Sequence, residues 1–339
     1  MKTALLFAAV IVAPLIAATP DASGYRVQQK IPVSGDGGWD YLTVDNASRR
    51  LFVSHGTKVD VLDVDSGDVK GSIPDTPGVH GIAVVSPLGR GFISCGKAGV
   101  VKVFDLTTLK PVTEVTVGKN PDSIIYDKVS NRIFVANGGS QSLTAISAVD
   151  ATVAGTIDVG GKPEFQVADG KGHVFLNLED KNTVLAIDSQ KLTITNRWPV
   201  EGCEAPGSMA MDRKNRRLFL GCHNQKMAVV DADSGRVIAT PPIGDRVDAT
   251  AYDAKSQLVF NSNGDGTVTV IQQASPDSYT VIDNVATQQG AKTMALDPKT
   301  GRLFLSVADY GPLPAATAEQ PKPRRPVLAG TFRILVVGK

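Results

Sequence analysis

Short apolar runs separated by polar turn residues recur along the chain, and residues 208–244 contain one complete copy of the pattern. The copy has four such runs, MAM, RLFLG, MAVVD and VIATPPI, which are rich in β-branched and apolar residues. Gly, Asn, Asp or Ser bounds each run, and these residues favour turns. Runs of this length and composition predict a four-stranded antiparallel meander.

The pattern occurs seven times with a period near 42 residues. An anchor at the end of the first strand recurs in steps of 41, 41, 42, 43, 41 and 44 residues, at Asp45, Ser86, Asp127, Asp169, Asp212, Asp253 and Asp297. A second-strand phenylalanine follows the same spacing, at Phe52, Phe92, Phe134, Phe175, Phe219, Phe260 and Phe304. Four-stranded units at this period indicate propeller blades. Because one blade cannot bury its faces alone, the units must form one ring.

The two ends of the repeat are complementary. Residues 25–33 match the last strand of other copies without a blade in front of them, and the seventh copy ends with its third strand at residues 332–338. Pairing of these segments would close the ring and cover two strand edges. The sequence therefore predicts an all-β fold, a seven-bladed β-propeller of four-stranded antiparallel blades. The N-terminal strand at residues 25–33 is expected to join the C-terminal blade.

The first 22 residues differ from the repeats. Lys2 precedes an apolar segment of thirteen residues, Ala4–Ile16, and small residues follow it. This order is typical of a cleaved secretory signal and is too short to span a membrane. We therefore expect residues 1–22 to be removed, and residues 23–339 to form a single propeller domain with no membrane span. The expected location is the periplasm or the extracellular space.

One insertion interrupts the repeat. Residues 310–330 lie between the second and third strands of the last blade and contain five prolines. We call this segment the Pro-rich loop. Proline makes it stiff and extended, and long loops in compact domains are usually functional or disordered. Two alternatives follow: the loop lies over the channel mouth, or it is a disordered surface loop.

The residues that enter the first strands should gather at one opening of the central channel. Counting back five residues from each anchor gives Asp40, Gly81, Asp122, Glu164, Gly207, Asp248 and Lys292. Single carboxylates at such positions can accept backbone N–H groups and tie blades together. As a cluster, like charges are costly unless a cation or a donor-rich ligand meets them. This set of residues therefore predicts a polar binding site at the mouth of the channel.

The second-to-third-strand turns belong to the same face, and they carry His55 and His223, with His80 nearby. Imidazole suits zinc or copper, and carboxylates could complete a ligand set. A divalent metal ion on His55, His80 and His223 is therefore one hypothesis. No short HxH or CxxC spacing holds these residues together, so the identity of any cofactor stays open.

The chain has three cysteines. Cys203 precedes the fifth blade and Cys222 ends its second strand, whereas Cys95 lies in the second blade. Adjacency favours the disulfide Cys203–Cys222 among the three possible pairings, with Cys95 left unpaired and semi-buried. In an oxidising compartment, closing a loop of this length contributes about 3 kcal/mol.

Charge and motifs weigh against several functions. The formal net charge is +1, which gives no global field that favours nucleic acid or an anionic membrane. The chain contains no GxSxG elbow, phosphate-binding loop or HExxH motif. Trp39 and Trp198 with scattered basic residues make a poor stacking groove for single strands.

Several blocks resemble known repeats. DRKNRRLFLG, DPKTGRLFLS and DVDSGDVKGSI resemble the YVTN-type repeats of bacterial and archaeal surface proteins. The series GGWDYLTVD, RLFVSHG, GGKPEF, CEAPGSMAMD, GCHN, GDRVDAT and SNGDGT, after a signal peptide, resembles the YncE-type family of secreted seven-bladed propellers over residues 25–339. The resemblance implies the fold and export. Quinoprotein dehydrogenase-like and lactonase-like propellers share this architecture, so it does not decide the activity.

Three functions follow as hypotheses. The first is a monomer that binds a small molecule or protein partner at a mouth capped by the Pro-rich loop and formed by Asp40, His55, His80, Asp122, Glu164, His223, Asp248 and Lys292. The alternative is a metal-assisted, lactonase-like hydrolase that uses the same mouth. The third is a cell-surface scaffold without a ligand at the mouth.

Overall fold

The computed structural model describes residues 23–317, 321 and 323–339. The predicted signal peptide, residues 1–22, lies outside the described residues. Within these ranges the chain forms seven four-stranded sheets arranged as the blades of a ring, which confirms the predicted β-propeller. The described helices are three short 3₁₀ helices at Ser86–Leu88, Gly138–Ser140 and Glu179–Lys181. None of the helices in the described ranges is long and apolar enough to cross a membrane.

The strands follow the repeat blade by blade. Blade 1 contains β2 (Trp39–Asp45), β3 (Arg50–His55), β4 (Lys58–Asp63) and β5 (Val69–Ile73). Blade 2 contains β6 (Val79–Val85), β7 (Arg90–Cys95), β8 (Val100–Asp105) and β9 (Pro111–Thr116). Blade 3 contains β10 (Pro121–Asp127), β11 (Arg132–Asn137), β12 (Ser142–Ser147) and β13 (Val153–Asp158). Blade 4 contains β14 (Pro163–Ala168), β15 (His173–Leu178), β16 (Thr183–Asp188) and β17 (Thr193–Pro199).

The remaining blades have the same order. Blade 5 contains β18 (Pro206–Asp212), β19 (Arg217–Cys222), β20 (Lys226–Asp231) and β21 (Val237–Ala239). Blade 6 contains β22 (Val247–Asp253), β23 (Leu258–Asn263), β24 (Thr267–Ser275) and β25 (Ser278–Ala286). Blade 7 contains β26 (Met294–Leu296), β27 (Leu303–Val307) and β28 (Arg333–Gly338), and β1 (Arg26–Pro32) is its fourth strand.

The ring closes as the sequence predicts. Strand β1 pairs antiparallel with β28, so one blade combines both ends of the domain. The Val33 N–H also donates to the Phe332 carbonyl at 3.1 Å. Ile31 is only 7% exposed and packs in a cluster with Phe304 and Ile334. Closure therefore rests on buried apolar contacts as well as on the strand ladder.

The second-strand phenylalanines form the contacts between blades. All seven are at most 1% exposed. Phe52 of blade 1 packs with Ile93 of blade 2, and Phe92 of blade 2 packs with Val135 of blade 3. The pattern continues around the ring until Phe304 of blade 7 packs against blade 1. Each blade thus packs one phenylalanine side chain against the next blade, which explains why phenylalanine recurs at this position in the sequence.

The acidic anchors hold the turns at the opposite end from the mouth. Asp212 accepts the backbone N–H of Lys214 at 3.0 Å, as expected for an Asx-type turn. Asp297 additionally accepts two hydrogen bonds from Arg49 of the next blade, both at 2.8 Å. Burial opposes ionisation of Asp297, but the hydrogen bonds from Arg49 and Thr300 outweigh it and lower the pKa to about 2. The anchors therefore fix turns and also join blades.

The cysteines agree with the predicted pairing. Cys203 and Cys222 form a disulfide with their Cα atoms 5.3 Å apart. Cys95 is free and fully buried at the end of β7, rather than semi-buried as expected. Burial raises the pKa of its thiol to about 11, so Cys95 is a packing residue rather than a nucleophile.

We expect Ile31→Ala to destabilise the domain by roughly 2–4 kcal/mol, because it removes buried methyl groups from the closing blade. Urea unfolding measures the loss. The matched control is Val69→Ala, since Val69 also lies on a fourth strand but is 53% exposed, and it should cost under about 0.5 kcal/mol. Equal effects of the two substitutions would show that packing of β1 does not stabilise the ring.

Candidate functional site

The mouth of the channel is built by the first residues of the first strands. The second residue of the strand is Asp40 in β2, Asp122 in β10, Glu164 in β14 and Asp248 in β22. The pairing of Val79 with Cys95 matches that of Trp39 with His55, so His80, and not the predicted Gly81, is the equivalent residue of blade 2. Asp40, Asp122, Glu164 and Asp248 all line a narrow cavity of about 80 Å³ in the channel.

A register irregularity sets the positions of these side chains. In blades 1 to 6 the pairing of the first and second strands shifts directly after the strand begins. Such β-bulges redirect side chains and often occur next to functional sites. A polar residue of the second strand satisfies the freed backbone: Ser54 Oγ accepts the Asp40 N–H at 2.7 Å, and Ser94 Oγ accepts the Gly81 N–H at 2.8 Å. Hydrogen bonds between neighbouring strands therefore hold the backbone of the mouth residues in place.

The side of the mouth formed by blades 1 to 4 is acidic, and we call Asp40, His80, Asp122 and Glu164 the acidic half. His80 Nδ1 lies 2.5 Å from Asp40 Oδ2 and 3.7 Å from Asp122 Oδ1. These three residues offer ligand atoms that all lie within 4.8 Å of one another, and within the described residues this is the one such group of three. Glu164 is paired with Lys162 at 2.9 Å.

The protonation of the acidic half is strongly perturbed. Burial, followed by the nearby Asp40 charge, raises the pKa of Asp122 to about 8. Burial also raises the pKa of Glu164 and, on the other side of the mouth, of Asp248. Burial opposes the charged form of His80, but its hydrogen bond with Asp40 and the nearby carboxylates raise the pKa. At neutral pH the free protein therefore holds a proton on Asp122 that a bound cation would replace.

Tyr41 forms the floor of the acidic half. Its hydroxyl donates to the Glu164 carbonyl at 3.3 Å, and its ring packs against Phe165 with centroids 5.3 Å apart. Burial and the surrounding carboxylates raise the pKa of Tyr41 well above its usual value. At neutral pH Tyr41 is a neutral hydroxyl, so it adds no further negative charge to the channel.

The opposite side of the mouth is a cavity of about 790 Å³, whose basic lining residues are Arg246, Lys292, Arg324 and Arg325. We call it the basic cavity. Lys292 Nζ lies 2.8 Å from Asp248 Oδ1, so this ion pair marks the boundary with the acidic half. The mouth is thus divided by charge.

The described part of the Pro-rich loop forms one wall of the basic cavity. Tyr310 and Val327 form an antiparallel bridge, and the Gly311 N–H donates to the Pro326 carbonyl at 2.8 Å. The Gly330 N–H donates to Asp36 in the segment that enters blade 1, at 3.0 Å. These contacts fix the base of the loop beside the mouth.

The three predicted histidine ligands are not brought together. His55 is fully buried, pairs with Asp60 at 2.9 Å and stacks on Phe332 with centroids 4.0 Å apart. His223 is half-exposed and lines the basic cavity. His80 is the histidine that meets two carboxylates. Packing explains this result, because His55 ends β3 with its side chain directed between blades against Phe332.

The sequence reasoning missed Tyr41, Arg246, Tyr310, Arg324 and Arg325. Tyr41 follows Asp40 at the bulge, where the alternation of inward and outward side chains is broken. Arg246 lies one residue before β22, and the other three lie in the Pro-rich loop. The repeat carries no information on residues outside its period, although two adjacent arginines, Arg324 and Arg325, in the inserted loop were a visible signal.

Comparisons with known proteins define the fold and nothing finer. No protein-family model and no curated protein matches the chain. A chain of "Crystal Structure of Mitotic Checkpoint Complex" is similar with a TM-score of 0.75 and 13% identity, covering 100% of this chain and 98% of that chain. "Crystal structure of RRP9 WD40 repeats" gives 0.75 and 11%, covering 92% and 97%. "Kuenenia stuttgartiensis Hydrazine Synthase" gives 0.70 and 15%, covering 88% and 97%.

The chain therefore has a WD40-like propeller fold, and the fold by itself does not define a function.

We expect Asp122→Asn to change how stability depends on pH. The folded protein keeps the Asp122 proton up to about pH 8, whereas the unfolded chain releases it near pH 4, so the free energy of unfolding falls between these values. The variant lacks this fall. The difference between its free energy of unfolding and that of the wild type should therefore be larger at pH 8 than at pH 5, by on the order of 2 kcal/mol. Urea unfolding at both pH values measures it.

Asp68→Asn is the control for this prediction, because the Asp68 side chain is 69% exposed on the turn between β4 and β5, at the face opposite the mouth, which we call the far face. It should leave the pH dependence unchanged. Parallel curves for wild type and Asp122→Asn would contradict the raised pKa.

Proposed function

We propose that the protein is an exported, monomeric β-propeller that binds a ligand at the divided mouth of its channel. The apolar segment Ala4–Ile16 supports export, and residues 1–22 would be removed. The disulfide Cys203–Cys222 fits an oxidising compartment. The blocks GGWDYLTVD and CEAPGSMAMD support membership of the YncE-type propellers.

The observation that carries the proposal is the group of carboxylates with raised pKa values at the mouth. Asp122 and Glu164 lie partly buried at the opening, with side-chain exposures of 15% and 22%. Burial, followed for Asp122 by the nearby Asp40 charge, raises the pKa values of both carboxyl groups, because charge is costly to hold away from water. A ligand that presents positive charge or hydrogen-bond donors would remove this cost on binding. Because the bulged strands fix these positions, binding needs little reorganisation.

His55 supports this site without contacting the ligand. Its side chain has no access to solvent, so it positions Phe332 and Asp60 rather than contacting a ligand. His223, Asp248 and Lys292 line the basic cavity and would contact the ligand together with the acidic half. The proposed contact residues are therefore those of the predicted mouth except His55.

We expect a donor-rich compound to stabilise the protein through the acidic half. Thermal shifts with polyamines, guanidinium compounds and neutral polyols identify the class, and calorimetry gives the Kd. The double variant Asp122→Asn/Glu164→Gln should weaken binding about tenfold or more, because hydrogen bonds to charged groups contribute about 1.5–3 kcal/mol each.

The double variant Asp68→Asn/Asp277→Asn also replaces two carboxyl groups with amides, on exposed turns at the face opposite the mouth, and it should bind as the wild type does. If ligands of the wild type bind the mouth variant with unchanged affinity, the mouth is not the binding site.

A metal-assisted hydrolase is the second candidate, and the group formed by Asp40, His80 and Asp122 favours it. Two carboxylates and one imidazole suit zinc or manganese, and three protein ligands leave positions open for substrate. A divalent cation bound there would polarise a carbonyl and activate water for its hydrolysis. The protein itself would orient the substrate through the basic cavity, and the oxygen of the neutral Tyr41 hydroxyl, which donates its proton to the Glu164 carbonyl, would accept a hydrogen bond from below.

The metal hypothesis predicts one equivalent of zinc or manganese that is lost in His80→Gln/Asp122→Asn. Elemental analysis of untagged protein after loading and gel filtration measures it. His223→Ala is the matched control, because His223 belongs to the sequence-based ligand set but not to the observed group, and it should retain the metal. A wild type without bound metal would remove the hydrolase, and loss of metal in His223→Ala would favour the other set.

A further inference from the structure

We propose that the basic cavity binds an organic anion with an apolar body, so that the ligand of the mouth carries a carboxylate or phosphate head group. This inference rests on the proposed function and narrows it, because it names the class of ligand. It concerns residues that the repeat does not mark, and it is carried by the shape, charge and apolar wall of the cavity.

The cavity has the size and position of a ligand site. Its volume of about 790 Å³ lies in the range of pockets that hold drug-sized molecules. It opens beside the channel, with Asp248 and Lys292 shared between the cavity and the mouth. A ligand held here therefore lies beside the Asp248–Lys292 ion pair that borders the acidic half.

The positive charges of the cavity exceed its negative charges. Arg324 and Arg325 are exposed, and no carboxylate of the described ranges lies within 4.0 Å of either guanidinium. Arg246 Nε is 3.4 Å from Asp245, and its Nη2 donates to the Gly264 carbonyl at 3.0 Å, which directs the side chain. Guanidinium groups match carboxylate and phosphate oxygens with paired N–H donors. The cavity therefore favours an anion.

The apolar wall of the cavity selects against a bare inorganic ion. Leu313 is 58% exposed and Val327 is 39% exposed, and both line the cavity together with Tyr310. The Tyr310 ring is itself held by Trp39, with centroids 6.2 Å apart. Exposed apolar side chains next to unpaired cations suit a molecule with an acidic head and an apolar body.

Calorimetry at low ionic strength with four probes tests the inference. Octanoate and octyl phosphate carry the anionic head and the apolar body, octylammonium reverses the charge, and acetate lacks the body. We expect at least one of the two octyl anions to bind, octylammonium not to bind, and acetate to bind more than about tenfold more weakly. Preference between octanoate and octyl phosphate identifies the head group.

Four variants locate the binding. Arg324→Gln/Arg325→Gln should weaken the octyl anion about tenfold or more, and Leu313→Ser should weaken it severalfold without changing the response to salt. Lys171→Gln/Lys191→Gln is the charge-matched control, because both lysines are exposed on far-face turns of blade 4, and it should bind as the wild type does. The Asp122→Asn/Glu164→Gln variant should also keep the octyl anion.

Three results would overturn the inference: no binding of either octyl anion, equal binding of octylammonium, or binding unchanged in Arg324→Gln/Arg325→Gln. If one of these occurs while donor-rich ligands still depend on Asp122 and Glu164, the cavity assignment fails and the proposed mouth function stands. If octyl anions bind through the arginines but no ligand depends on the acidic half, the cavity assignment stands and the proposed function of the acidic half fails.

Discussion

The packing of one buried phenylalanine per blade into the next blade is the contact on which the rest of the structure depends. A single four-stranded sheet cannot bury both faces, so each blade is stable only between two neighbours. Phe52, Phe134 and Phe219 each lie in a cluster that combines two adjacent blades. The ring gives every blade two neighbours, which requires β1 to complete blade 7. The channel and its mouth exist because of this closure.

The charged side chains of the mouth lie on first strands whose backbone is held by hydrogen bonds from neighbouring strands. Asn177 accepts the Phe165 N–H at 2.5 Å and donates to the Pro206 carbonyl of the next blade at 2.6 Å. Ser94 similarly contacts the Asp122 carbonyl at 2.5 Å. Blades 2 and 4 thus each hold the start of the first strand of the next blade through its backbone. At these positions burial and the nearby charge of Asp40 act together on Asp122, and they raise its pKa.

The sequence predicts the features that repeat and misses those that do not. Blade number, strand order, ring closure and the buried phenylalanines follow from the period of about 42 residues, and adjacency was enough for Cys203–Cys222. The same count identified Asp40, Asp122, Glu164 and Asp248 as mouth residues, and it chose Gly81 over His80 because the blade 2 anchor is shifted by one residue. His55 was placed at the correct strand end, but the direction of its side chain depends on packing against Phe332, which no periodicity encodes. Arg324 and Arg325 belong to an insertion, so only the folded loop brings them to the mouth.

The division of charge at the mouth has a consequence for both proposed functions. The acidic half attracts cations and donors, whereas the basic cavity attracts anions, and the pair Lys292–Asp248 lies between them. A ligand with only one kind of group would satisfy one side and leave the other unchanged. A molecule that presents an acidic head to Arg324 and a donor to Asp122 would satisfy both, and so would an anionic substrate next to a cation on Asp40, His80 and Asp122. In the second case the proton on Asp122 must leave first, because a carboxylate coordinates a cation only when it is ionised. Protons and cations therefore compete for the same oxygen atoms, whereas an amide or hydroxyl donor of a ligand competes with them only through hydrogen bonding.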